Sequence, residues 1–72
     1  MTSVPSLTPK EVIGILKKIG FDFVRQKGSH SIYVKESMMV IVHVHSKSLK
    51  KGTLNKIIKG TGLNVEEFLS YN

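Results

Sequence analysis

The sequence predicts a single α+β domain in which helices pack on one face of a three-stranded antiparallel sheet. An amphipathic helix pattern near the start is followed by short segments of alternating polarity and then by a second helix pattern. With 72 residues, the chain is long enough for one layer of helix on one layer of sheet. The predicted order is α-β-β-β-α with a short C-terminal helix.

The first helix is defined by its start and by its apolar stripe. Thr8 is a suitable cap, Pro9 suits the first helical position, and Glu11 completes a capping box. Gly20 ends the helix. One helical face is formed by Val12, Ile15, Leu16 and Ile19.

The preceding residues 1–7 are expected to form a flexible arm, so that the domain proper spans 8–72. This start has no basic segment followed by an apolar run, and no stretch has the length of a membrane span. The chain contains no cysteine, which excludes disulfides and thiolate metal sites. Without a signal segment or a membrane span, the sequence predicts a soluble cytoplasmic protein, whereas the missing cysteine does not indicate a compartment.

Three segments have the alternation and β-branched content of strands, at 21–27, 29–35 and 39–45. Gly28 and residues 36–38 are the predicted turns. Because the connections are so short, successive strands should be antiparallel.

The C-terminal part begins with a basic loop over 46–51, and a second helix follows over 51–59. The glycines in 60–62 end that helix, and Asn64 with Glu67 can form a capping pair for the last short helix.

Net charge gives the first indication of function. Eleven Lys and Arg residues against five Asp and Glu give a formal charge of +6. Such an excess on a short chain indicates an anionic partner, which could be nucleic acid, a membrane surface or an acidic protein. A membrane role is the least favoured, because the sheet needs the apolar stripe of the first helix for its core.

His30 is the leading candidate for chemistry. It follows Gly28 and Ser29 near a strand end, where a side chain can reach a ligand. Imidazole can give or take protons at neutral pH. The same spacing also fits a surface histidine with no role, so the residues alone leave both interpretations open.

His43 and His45 share one face of the third strand. If Glu36 pairs with Met39 across a two-residue turn, His30 lies opposite His45, which makes His45 a candidate assistant. A loop with an odd number of residues would instead send His45 to the other face. Zinc is not expected, because neighbouring strand residues seldom converge on one point and no carboxylate accompanies them.

A basic surface is predicted around the start of the second helix, where free backbone N–H groups favour phosphate. The candidate RNA or phosphate contacts are Arg25, Lys27, Lys47, Lys50, Lys51, Gly52 and Thr53. Tyr33 could stack on an unpaired base, although packing on the sheet is an equal alternative.

The segments GSHSIY (28–33) and KSLKKGTLNKIIKGTGLNVEEF (47–68), with the helix-then-GF start over 16–21, resemble the HicA toxins of bacterial and archaeal toxin–antitoxin systems. The resemblance covers nearly the whole chain beyond the first seven residues. It implies a fold like that of double-stranded-RNA-binding domains (dsRBD-like), and an endoribonuclease that cleaves messenger RNA. If cleavage uses the neighbouring 2′-hydroxyl as the nucleophile, no metal or other cofactor is expected. A HicB antitoxin would bind the toxin and block its site.

The histidine of the GSH motif is the family's catalytic residue, so the resemblance implies that His30 is the acid or base catalyst. Many members carry proline-x-histidine at the end of the third strand. His45 matches that histidine, whereas His43 replaces the proline.

Two other classes of function remain open. A non-catalytic double-stranded-RNA-binding module would suit the predicted order, but GTLNKIIK lacks the lysine-rich signature of such modules. A structural adaptor would use its basic surface only to bind an acidic protein. RNA cleavage and growth arrest that are lost with His30→Ala would separate the toxin from both.

Overall fold

The computed structural model describes residues 6–72, which form three helices and three strands in the predicted order. The elements are α1 (Pro9–Ile19), β1 (Asp22–Lys27), β2 (His30–Lys35), β3 (Met38–His43), α2 (Lys51–Gly60) and α3 (Val65–Leu69). The strands form one antiparallel sheet in the order β1-β2-β3, which confirms the α+β prediction. Within residues 6–72, no helix has the length and apolarity needed to cross a bilayer.

Both ends of α1 are satisfied by hydrogen bonds. The Glu11 N–H donates to the Thr8 hydroxyl at 3.2 Å, and the Glu11 carboxylate accepts from the Thr8 N–H at 3.0 Å. This backbone hydrogen bond, with a second one from the Thr8 hydroxyl, lowers the pKa of Glu11. At the other end Gly20 adopts a φ of 118°, and the Lys35 ammonium donates to the Ile19 carbonyl at 3.0 Å. The capping box predicted for α1 is therefore confirmed.

The predicted arm over 1–7 lies mostly outside the described residues, which include only Ser6 and Leu7 of it. Ser6 is exposed, whereas Leu7 is buried in the core. The Leu7 carbonyl also accepts a hydrogen bond from the Leu49 N–H at 2.9 Å. Leu7 therefore packs with the domain and connects the start of α1 to the segment before α2.

The two faces of the sheet differ in what covers them. One face packs against the helices and contributes Ser31, Tyr33, Val40 and Val42 to the core. The Ser31 hydroxyl on this face donates to the Val42 carbonyl at 3.1 Å, so its burial leaves no unpaired polar atom. No helix within residues 6–72 covers the other face, where Met39 is 59% exposed and Ile41 is 42% exposed.

We call this second face the open face. The cross-strand partners place nine residues on it: Asp22, Arg25, Lys27, His30, Ile32, Val34, Met39, Ile41 and His43.

The turn between β2 and β3 differs from the predicted one. Lys35 pairs with Met38, so the two turn residues are Glu36 and Ser37. Glu36 has a φ of 55°, the left-handed conformation that tight hairpin turns require and that residues other than glycine seldom adopt. The predicted pairing of Glu36 with Met39 is wrong for this reason.

The changed turn moves the register of β3 by two residues. His30 lies opposite His43, and not opposite His45 as predicted. Because side chains alternate with a period of two, an even shift leaves His43 on the predicted face.

A β-bulge in β1 decides which of its residues join the open face. Phe23 pairs with Tyr33, but Arg25 pairs with Ile32, which leaves Val24 as the extra residue. The bulge moves the rest of the strand by one position relative to β2. As a result Arg25 and Lys27 lie on the open face, and Lys27 lies directly opposite His30.

Candidate nucleic-acid interface

Two imidazole rings are in contact at one end of the open face. The ring centroids of His30 and His43 lie 4.3 Å apart, and the ring planes make an angle of 75°. Both residues are exposed to solvent. The edge of one ring therefore meets the face of the other while both remain accessible from outside.

The position of this pair in the ladder explains the close approach. The Val44 N–H donates to the Ser29 carbonyl at 2.8 Å, which makes Ser29 and Val44 a hydrogen-bonded pair. Hydrogen-bonded and non-hydrogen-bonded pairs alternate along an antiparallel ladder, so His30 and His43 form a non-hydrogen-bonded pair. Side chains come closer at such positions than at hydrogen-bonded ones.

A groove of about 560 Å³ connects the histidine pair to α2. Its floor is apolar and is provided mainly by the central and edge strands. The lining residues are Lys27, His30, Ile32, Met39, Val40, Ile41, His43, Thr53, Lys56 and Ile57. Gly60 allows the C-terminal end of α2 to lie close to β3, because a Cβ at Gly60 would lie only 3.2 Å from the Val40 side chain.

The groove is basic. Lys27 comes from β1 and Lys56 from α2, so two cationic side chains approach the histidine pair from different elements. None of the described residues that line the groove is acidic. This composition suits an anionic ligand that also has apolar surface, such as a nucleotide with its phosphate and base.

The start of α2 differs from the starts of the other two helices. Lys50 is the N-cap residue and makes no side-chain capping hydrogen bond, whereas α1 and α3 both begin with a capping box. The first turn of α2 contains no acidic residue. Lys50 and Lys51 are exposed beside this start.

The structure brings together only part of the predicted site. Lys27, His30 and Thr53 line the groove, and Arg25 lies on the same open face opposite Ile32. The remaining predicted contacts are exposed around the start of α2 and do not line the groove: Lys47, Lys50, Lys51 and Gly52.

Tyr33 does not join the site. Its side chain is only 3% exposed and packs in the core on the helix side of the sheet, where its ring makes an edge contact with Phe23 at 5.6 Å. Neither face of the Tyr33 ring is accessible to a base. Tyr33 therefore packs in the core, and the predicted stacking on an unpaired base is wrong.

His45 also lies outside the groove. β3 ends at His43, and His45 is an exposed residue of the turn that follows. The three-histidine cluster that the predicted register implied does not form. Within residues 6–72, no three His, Asp or Glu side chains converge closely enough to hold a metal ion.

Two basic side chains of the groove were not among the predicted site residues, namely His43, the partner of His30, and Lys56. If the turn is placed at Glu36 and Ser37, counting cross-strand partners along the hairpin identifies His43 as the partner of His30. Lys56 follows Thr53 by three residues, which places both on one face of α2.

Comparison with known proteins adds one finding. A family model described as the HicA toxin of bacterial toxin–antitoxin systems matches residues 9–63. The matched range includes all three strands, the histidine pair and α2. No curated protein matches the chain significantly.

The contact between the two rings can be tested by nuclear magnetic resonance. We expect nuclear Overhauser contacts between the ring protons of His30 and those of His43, since the centroids lie 4.3 Å apart. His45 serves as the internal comparison, because the predicted register would place it opposite His30. Contacts from His30 to His45 in place of His43 would contradict the register described above.

Proposed function

The chain belongs to the HicA family of toxins from toxin–antitoxin systems, and on that premise we propose that it is an endoribonuclease that cleaves messenger RNA and so arrests translation in the cytoplasm. The observation that carries this proposal is the position of His30. It is exposed at the end of a basic groove, where a bound phosphodiester would meet an imidazole and two lysines.

Cleavage is proposed to use the 2′-hydroxyl of the RNA as the nucleophile. Such a reaction needs a base to remove the hydroxyl proton, an acid to protonate the leaving oxygen, and positive charge near the phosphorus. His30 takes one of the two proton-transfer roles. Lys27 and Lys56 are placed to supply positive charge, because both line the groove with His30. No metal is required for this chemistry.

The backbone of the RNA is proposed to continue from the groove towards the start of α2. The uncapped N–H groups of its first turn favour phosphate, and Gly52 allows close approach. Lys50 and Lys51 add charge there, with Lys47 in the loop before them. Arg25 extends the basic surface along β1 on the open face.

The antitoxin of this toxin is proposed to be an acidic protein of the HicB type that covers the open face. Two observations, one on that face and one on the whole chain, support a protein partner as well as RNA. Met39 and Ile41 are exposed apolar side chains in the same groove as His30. The chain carries a net charge of +6, which favours an acidic partner. A partner seated on this surface would block access to His30.

The central test compares the parent protein with His30→Ala on single-stranded RNA in the presence of EDTA. We expect the parent to cleave RNA and to leave DNA of the same sequence intact, because DNA lacks the 2′-hydroxyl. The His30→Ala variant should cleave at least about 10²-fold more slowly, the usual loss when a proton-transfer group is removed. Cleavage is measured by gel analysis of end-labelled strands.

Circular dichroism and thermal melting serve as the control that His30→Ala is folded. Cleavage retained by that folded variant would remove His30 from the mechanism. Activity that needs an added divalent metal would contradict the metal-independent reaction. Tight binding of duplex RNA by the parent without any cleavage would favour the RNA-binding module instead.

The role of Lys56 is tested by salt dependence. Binding of a single strand with 2′-O-methyl groups, which cannot be cleaved through the 2′-hydroxyl, should weaken with salt at a log–log slope of about −0.7 per phosphate contact. Lys56→Ala should weaken binding and make the slope shallower by about 0.7. Fluorescence anisotropy at several salt concentrations measures both.

Lys18→Ala is the matched control for this experiment. Lys18 is equally exposed but lies in the last turn of α1, outside the groove. Equal losses for Lys18→Ala and Lys56→Ala would show that only overall charge matters and would argue against a phosphate contact at Lys56.

A further inference from the structure

We infer that His43 is the second proton-transfer residue of this site, acting with His30 as an acid–base pair. The inference rests on the proposed ribonuclease function and adds a residue to it. Its basis is the contact of the two exposed rings, at 4.3 Å between centroids, in the groove that the two lysines also line.

The sheet holds the two imidazoles in a fixed relation. His30 on β2 and His43 on β3 are direct cross-strand partners. Short turns connect β2 to β1 at one end and to β3 at the other. Residues on a sheet are positioned more firmly than residues on a loop. His45 lies beyond the end of β3, so it lacks this support.

The charged side chains around the pair are basic. The charged groups that line the groove with it are Lys27 from β1 and Lys56 from α2, and no carboxylate lines the groove within the described residues. Two imidazolium rings in contact would repel each other and the lysines. A neutral base and a cationic acid are the two states that the reaction needs.

The two imidazoles together supply both proton transfers that the proposed cleavage step requires. The neutral imidazole takes the proton of the 2′-hydroxyl, and the 2′-oxygen forms a bond to phosphorus. The bond from phosphorus to the 5′-oxygen breaks, and the cationic imidazole gives its proton to that oxygen. The products are a 2′,3′-cyclic phosphate and a 5′-hydroxyl. The two imidazoles end with exchanged protonation states, which proton exchange with water restores.

The inference is tested with His43→Ala and with His43→Gln, a second variant that retains a polar side chain on the strand. Both should reduce cleavage of single-stranded RNA by about 10²-fold or more at neutral pH. The parent should show a bell-shaped dependence of cleavage rate on pH, and each His43 variant should lose one side of the bell. A purely structural residue would lower the rate without removing one side.

A modified RNA then separates the roles of the two histidines. If sulfur replaces the 5′-oxygen at the cleaved bond, the leaving group departs as a thiolate and needs no proton. We expect this substrate to restore cleavage in only one of the two variants, His30→Ala or His43→Ala. The restored variant is the one that lacks the acid. The other variant, which lacks the base, should remain slow on both substrates.

Several outcomes would overturn the inference while leaving the proposed function intact. The first is full activity of His43→Ala when His30→Ala is inactive. The second is a loss of activity in His45→Ala but not in His43→Ala. The third is that the sulfur substrate restores neither His30→Ala nor His43→Ala. A parent protein that cleaves no RNA would instead contradict the proposed function itself.

Discussion

The cross-strand register of β2 and β3 fixes which side chains meet on the open face. Lys35 pairs with Met38 around a two-residue turn, and every later partner follows from that closure. His30 then meets His43 at a non-hydrogen-bonded position, where the two rings come into contact. A register changed by one residue would remove one histidine from the face altogether.

Because the helices cover only one face of the sheet, the side chains that this register brings together remain accessible. The helices cover the face that carries Tyr33 and Val42, so the small core is built on one side of the sheet only. The histidines and exposed apolar residues such as Ile41 occupy the other side. α2 contributes to the core and to the groove, because Leu54 is buried while Lys56 lines the groove. The same surface is therefore accessible to the proposed RNA substrate and to an antitoxin that would cover it.

Local sequence signals predicted the elements but not their alignment. The capping boxes of α1 and α3, the apolar stripes and the short turns depend on neighbouring residues, and the order of elements is confirmed. The partner of His30 depended on Glu36 adopting a positive φ, which side-chain chemistry does not favour. The bulge at Val24 has no glycine to mark it, yet it places Lys27 opposite His30. Such cross-strand contacts depend on tertiary packing, which the hydrophobic periodicity of the sequence does not reveal.

The family resemblance implies that His30 is the catalytic residue, and the structure shows which side chains surround His30. RNA binding at the histidine pair is tested by titrating isotope-labelled protein with 2′-O-methyl single-stranded RNA and recording nuclear magnetic resonance spectra. We expect the largest chemical-shift changes at Lys27, His30, His43 and Lys56, with little change in α1 and α3. Changes centred on α1 and α3, with the histidine pair unaffected, would contradict RNA binding at this pair.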